Sequence, residues 1–426
     1  MRGTRRASVT AACAAIVLML APTPASAAPG KLDKFFSGDG KQTAFPHGAT
    51  AFGVAIDGKD RIVVAGYTLR ASVDLAIARF LPNGRPDPDF GGGDGRVTTN
   101  LGATDYAFDV AIPKGGGIVV AGERDTARGS KVALVRYTAA GGRDKDFGGG
   151  DGIVLTSFGK RYNGASAVAI GANGNITVGG FTSNGSADRW ALARYGPRGV
   201  LDKDFGGDGK VTIDLSASGE QINDLTITDG AIVAAGYAEA GLTPRFAIAR
   251  FRLQGGLDRD FGHKGVNTVN VSGGADIAYA LAEGPDGSFV TAGYAANGTR
   301  ADWGMVRFGP RGRVDDSFSG NGIRVIQLGP QYEYAYGVTV QSNGRTVVVG
   351  RASRTGRGDD FGVFRLKVNG AFDESFGHDG RAYANFFGQS DTARDVVLQR
   401  NGKIVAAGEA TDHGTRRFAV ARFIAS

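Results

Sequence analysis

An Asp-x-x-Phe step followed by glycines returns seven times along this chain, as LDKFFSGDG, PDPDFGGGDG, RDKDFGGGDG, LDKDFGGDG, LDRDFGHKG, VDDSFSGNG and FDESFGHDG. The recurring phenylalanines, Phe36, Phe90, Phe147, Phe205, Phe261, Phe318 and Phe376, stand 54, 57, 58, 56, 57 and 58 residues apart. A glycine that closes an apolar run keeps the same step, at Gly66, Gly122, Gly180, Gly236, Gly293, Gly350 and Gly408. So does an arginine next to a bulky apolar residue, at Arg79, Arg136, Arg194, Arg250, Arg307, Arg365 and Arg422. Three markers in one period mean that a single structural unit of about 57 residues is repeated, and such units decide a fold before length or composition does.

Each unit holds four short runs with strand chemistry, named a to d, which in the fourth copy read KVTIDL, INDLTI, AIVAAGY and RFAIARF. Run c is apolar at successive positions, as in Ile62, Val63, Val64 and Ala65, which suits a strand covered on both faces. Between b and c lie Asp57-Gly58, Asn173-Gly174, Asp229-Gly230, Asp286-Gly287, Asn343-Gly344 and Asn401-Gly402. Such pairs accept positive φ and predict hairpins, so successive strands are antiparallel neighbours. No stretch after the first 27 residues shows a sustained helical period.

A lone four-stranded sheet of this size cannot bury two apolar faces, so the copies must stack. Radial stacking does this and leaves only short edges. The expectation is an all-β fold: a seven-bladed β-propeller with four antiparallel strands per blade. The chain stops just after the last run d, at ARFIAS, while an orphan run a, KQTAF, precedes the first complete unit. Run a is therefore read as the outermost strand of the preceding blade, and residues 40–45 as the N-terminal strand that completes the last blade and closes the ring. The repeat resembles the bacterial delta-60 repeat, whose pattern DGKIVVAGY, FALARY and LDxxFGxxGKV is nearly spelled out over residues 31–426. That resemblance implies a secreted protein with a propeller-like β fold and supplies no activity or catalytic residue.

The first residues combine a basic start (Arg2, Arg5, Arg6), an apolar run from Ala11 to Ala21, and small residues at Ala25 and Ala27. That order reads as an export signal over residues 1–27, with residues 28–426 as a single mature domain. The expected location is secreted, outside the cytoplasm, by the Sec or the twin-arginine route. The apolar run is too short to cross a bilayer, and no membrane span is expected. The one cysteine, Cys13, lies in this leader, so the mature protein offers no disulfide, thiol nucleophile or thiolate metal site. Three of the charges behind the net +7 belong to the leader, leaving +4, too mild to argue for nucleic acid.

Residues kept in every copy are read as blade builders. These are the acids of the Asp-x-x-Phe step, Asp33, Asp87, Asp144, Asp202, Asp258, Asp315 and Asp373, and the seven run d arginines. The arginines share a face with bulky apolar side chains, need a partner, and are expected to brace these acids. The GGGDG and GGDG turns lack the nine-residue spacing of calcium-binding β-rolls and are read as turns.

The a-to-b and c-to-d connections gather the variable sequence on one face, where loops on a rigid scaffold usually bind. The c-to-d loops carry many arginines, among them Arg124, Arg189, Arg351, Arg354 and Arg417. The column that begins run b reads Ala49, Asp105, Asn163, Glu220, Asp276, Glu333 and Asp391. As a functional expectation, its five carboxylates and amide ring the upper mouth of the central channel and bind a cation or a polyhydroxylated ligand. The alternative is that they cap the strand-entry turn or pair with the arginines. Further along run b, Asp109, Asp224 and Asp395 are expected on the same face as that column.

Four histidines in separate places, His47, His263, His378 and His413, do not suggest a triad or a histidine metal site. No cofactor is expected, and metal binding is left open. The favoured function is a binding or interaction module, a monomer with an unidentified extracellular ligand, glycan or protein. The alternatives are carboxylate-based glycoside cleavage at the channel mouth and a purely structural surface protein.

Overall fold

The computed structural model describes residues 28–216, 218–298, 300–329, 332–354 and 358–426. The proposed export signal lies outside these residues. The described chain forms seven four-stranded sheets, every neighbouring pair antiparallel. In the first blade the order from the inside outward is Ala49–Ile56, Ile62–Leu69, Val73–Phe80 and Arg96–Thr99. These are runs b, c, d and then the a of the next unit, as expected. The other inner strands are Thr104–Ala111, Tyr162–Ile170, Glu220–Thr228, Asp276–Glu283, Tyr334–Val340 and Asp391–Leu398. Blades are numbered here by these strands in chain order.

The seventh blade is built from both ends of the chain. Lys41–Ala44 pairs antiparallel with Thr415–Phe423, in the register Lys41↔Ala421 to Ala44↔Phe418. This is the ring closure read from the orphan run a. No helix among the described residues is long and apolar enough to cross a membrane.

Burial explains why single blades cannot stand alone. Ile62, Val63, Val64 and Ala65 are all fully buried, and their alternate side chains serve opposite interfaces. Ile62 and Val64 join a cluster with Val405, Ala407 and Val420 of the seventh blade. Val63 and Ala65 join one with Ala107, Val110 and Val120 of the second. Seven such clusters fill the gaps between blades, so each sheet is one half of two cores. The large aromatics bridge in the same way: the indole N–H of Trp190 donates to the carbonyl of Tyr237, and that of Trp303 to Arg351, both at 3.0 Å.

The b-to-c turns differ in detail from the expectation. Only Asp229-Gly230 is a two-residue turn with positive φ at both positions, 44° and 74°. Asn173-Gly174 and Asn343-Gly344 sit instead inside five-residue connections, closed by bonds such as Gly171 N–H to Asn175 O. There only the glycine is left-handed. In the first copy Gly58 falls too early, and Asp60 takes the positive φ of 60°.

Candidate functional site

The arginine of run d meets an acid of the Asp-x-x-Phe step in every blade, eight residues on in six of them and across the two chain ends in the seventh. The guanidinium to carboxylate distances are 2.7 Å for Arg79 and Asp87, 2.7 Å for Arg136 and Asp144, and 2.9 Å for Arg194 and Asp202. They are 2.7 Å for Arg250 and Asp258, 3.1 Å for Arg307 and Asp315, 2.8 Å for Arg365 and Asp373, and 2.8 Å for Arg422 and Asp33. The other carboxylate oxygen takes the backbone N–H two residues on, as Asp87 does from Asp89 at 3.0 Å. Each arginine also reaches a carbonyl of the following blade, for instance Arg250 to Pro310 at 3.1 Å and Arg307 to Val368 at 2.8 Å. Charge, turn and blade junction thus share one bond network, the expected brace, on the face away from the variable loops.

The column beginning the inner strands sits elsewhere than expected. Asp105, Asn163, Glu220, Asp276, Glu333 and Asp391 are fully buried and none lines the central channel. Each accepts a backbone N–H from the connection that arrives from the preceding blade. The donors are Leu101 (2.6 Å), Phe158 (3.1 Å), Leu215 (2.8 Å), Val271 (2.7 Å), Leu328 (3.0 Å) and Phe386 (2.8 Å). Burial raises the pKa of all five acids, to about 7 for Glu333 and Asp391. Their placement at the channel mouth is therefore corrected: they cap the strand-entry turn, the alternative that the sequence left open.

What sets the residues further along each inner strand apart from this column is a β-bulge. The pairing register slips by one residue between Ala51 and Gly53, Ala107 and Asp109, and Ala165 and Ala167. The same slip falls between Ile222 and Asp224, Ala278 and Ala280, Ala335 and Gly337, and Ala393 and Asp395. The extra residue breaks the two-residue alternation. Phe52, Phe108, Ser166, Asn223, Tyr279, Tyr336 and Arg394 are those extra residues, and all seven line the channel. The repeated glycine of run c is the partner of the bulge. A Cβ at Gly66, Gly236 or Gly293 would stand 1.9–2.0 Å from a carbonyl oxygen of the inner strand, so only glycine fits.

The resulting cleft has a volume of about 290 Å³. One wall is aromatic: Tyr279 and Tyr336 lie with ring centres 5.1 Å apart, Tyr334 and Tyr336 5.6 Å, and Tyr279 and Tyr294 5.9 Å. A second aromatic group joins Phe52, Phe108, Tyr67 and Tyr106 at 5.2–6.0 Å. Between them the Arg394 guanidinium lies 4.3 Å from the Tyr336 ring centre and bonds both oxygens of buried Glu409, at 2.9 and 3.2 Å.

Asp109, Asp224 and Asp395 follow the bulges and face the channel, not the column of Asp105 as expected. Each carboxylate accepts the N–H of its own successor and one from the next blade: Val168 for Asp109 (2.7 Å), Leu281 for Asp224 (2.7 Å) and Val54 for Asp395 (2.8 Å). Depth in the protein is the main reason their pKa values rise, to about 7 for Asp224 and about 6 for Asp395, and well above the ordinary range for Asp109. The charges of Asp395 and Asp224 push Asp109 further in that direction. Among the described residues, no group of three or more His, Cys, Asp or Glu side chains could hold a metal ion.

Comparison with known proteins supports the same architecture. Residues 60–90, 171–205, 341–376 and 399–425 match a family described as "Domain of unknown function (DUF5122) beta-propeller". These segments run through the c and d strands of individual blades, which supports a β-propeller repeat. No curated protein matches the chain. Among solved structures, a catalytically inactive virginiamycin B lyase from Staphylococcus aureus with quinupristin superposes with a TM-score of 0.51 and 12% identity, covering 89% of this chain and 98% of that one. The polysaccharide lyase Uly1 gives 0.50 and 12%, over 89% and 90%. Sqt1 of Chaetomium thermophilum gives 0.50 and 13%, over 89% and 96%. At such identities the likeness is one of fold alone.

Proposed function

We propose that this chain is a secreted β-propeller binding module whose ligand enters the central channel from the face carrying the c-to-d loops. The supporting observation is the ring of bulged residues: seven inner strands each spend a register slip to aim one side chain into a single aromatic cleft. Packing alone gives no reason for large aromatics there, since the blade cores are filled by the other faces. The basic, apolar and small-residue order of residues 1–27 supports an export signal, and the repeat pattern supports membership of the delta-60 group. The protein is a monomer in this reading.

A binding screen of residues 28–426 against glycans and small metabolites tests this. Hits are expected to be lost in Tyr336→Ala and Phe108→Ala with melting temperatures near that of the parent. Glu333→Gln and Asp276→Asn, which alter the turn caps, are expected to lower the melting temperature and leave the hits in place. The reverse pattern would return the site to the turn-cap column.

A second reading, glycoside cleavage, draws support from Asp224 and Asp395, whose pKa values of about 7 and 6 suit an acid at neutral pH. Against it, both oxygens of each carboxylate already accept backbone N–H groups. Release of reducing ends from any bound glycan, abolished in Asp224→Asn, would favour cleavage over binding.

A further inference from the structure

Resting on the channel as the binding site, we infer that its ligand is an extended organic cation carrying two or more protonated amines. The channel does not end at the aromatic ring. A second cleft, of about 530 Å³, opens on the loop face above blades two to four and shares Glu123 and Phe181 with the first. The two are one trough running from the pore toward the rim.

Its chemistry is one-sided. Glu123, Asp125, Asp188 and Glu239 line the outer part, and Asp109, Asp224 and Asp395 lie deeper. Among the described residues Arg394 is the only Lys or Arg in either lining, and Glu409 neutralises it at 2.9 Å. The chain as a whole carries +7, so the acids of the trough oppose the overall sign. They differ from the acids of the repeat as well. All seven brace aspartates have an arginine, whereas among the described residues none of the seven trough acids has a basic partner. Arg189, next to Asp188 in sequence, is instead held by Asp214 at 2.8 Å. Gathering Glu123, Asp125, Asp188 and Glu239 along the outer trough with no base beside them costs self-repulsion that an incoming cation relieves.

The walls choose among cations. Tyr162, Phe181 and Tyr237 in the outer part, and Tyr279 below, offer π faces that attract ammonium groups and cover alkyl stems, while Tyr336, already under Arg394, shapes the floor. They supply no ligand set for a metal ion, in keeping with the lack of a metal-holding group among the described residues. Two linked clefts call for a chain with separated charges rather than a single ammonium.

The test is calorimetric titration of residues 28–426 with spermine, propylamine and a neutral cello-oligosaccharide. Spermine is expected to bind more tightly than propylamine, with affinity falling several-fold between about 50 and 300 mM salt as screening grows. Asp188→Asn/Glu239→Gln, which touches only the outer trough, is expected to weaken spermine about tenfold without lowering the melting temperature, and Tyr336→Ala to weaken it as well. Spermine binding that is absent, or indifferent to these changes, overturns the inference. If the oligosaccharide binds instead and Tyr336→Ala abolishes it, the cation fails while the channel stands. If no ligand of any class responds to Tyr336→Ala, the channel reading fails too.

Discussion

Arg365 and Asp373 are 2% and 3% exposed, whereas Arg250 and Asp258 are 22% and 18% exposed, so one brace is built in different dielectric surroundings. Where the pair is sealed off, a second base stands by. Arg61 is 3.3 Å from Asp87, Arg345 3.1 Å from Asp373, and Lys403 2.7 Å from Asp33. A fully buried carboxylate is costly, and one cation that also serves a neighbouring carbonyl does not offset it alone. Removing Arg365 strands a buried charge, so Arg365→Ala is expected to cost about 3 kcal/mol, the low end for a broken buried pair because Arg345 remains. Arg250→Ala, where solvent screens Asp258, is expected to cost about 1 kcal/mol or less. Urea unfolding of the two variants checks the order; equal losses would mean that packing, not charge, sets the value of the brace.

The inner strand shows where reading a sequence as strands succeeds and where it stops. Run boundaries, hairpin order and the swap of run a into the preceding blade were legible, because alternation and turn chemistry are local. The channel lining was not. Counting by twos from Asp105 through Ala107 to Asp109 puts all three on one face, and the bulge after Ala107 breaks that count. Phe108, Tyr279, Tyr336 and Arg394 were passed over for the same reason. A signal did exist: the glycine inside run c, repeated seven times in a strand, marks a close backbone approach. Gly236→Ala would drive its Cβ to 1.9 Å from the carbonyl oxygen of Gln221, and is expected to cost several kcal/mol or prevent folding. Gly92→Ala, in a lower turn at φ 83° with open space around it, should cost only about 1 kcal/mol. Thermal melts of both separate crowding from backbone strain. The closing strand makes a third case. Deleting residues 28–45 removes the partner of Thr415–Phe423 and also Asp33 from Arg422, so the melting temperature should drop sharply rather than by the small amount typical of a trimmed terminus.

Across the whole ring two populations of acids titrate in opposite directions, and their balance fixes how stability depends on pH. At the braces of Asp33, Asp144 and Asp373 burial works against ionisation, yet hydrogen bonds and cations overcome it. Asp33 is held low by Lys403, the Phe35 N–H and Arg422, Asp373 by Ser375, Arg365 and Arg345, and Asp144 by the Asp146 N–H and Arg136. Their contribution is present above the unfolded value near 3.8 and is lost as pH falls through the depressed folded values. Around the channel and at the turn caps burial wins, and Asp224, Glu333 and Asp391 rise to about 7 and Asp395 to about 6. Between those values and the unfolded ones, 3.8 for the aspartates and 4.5 for Glu333, the folded protein binds protons that the unfolded chain does not, so stability grows as pH falls from about 8 to about 5. The two trends together place the maximum between roughly pH 4 and 6, on the acid side of neutrality. Melting temperatures measured from pH 3 to 9 should show that maximum, and Asp224→Asn should flatten the limb between pH 5 and 8 while leaving the acid limb unchanged. A maximum at pH 8 would mean that the channel carboxylates are already ionised at neutral pH, with a cation or ordered water supplying what the protein withholds.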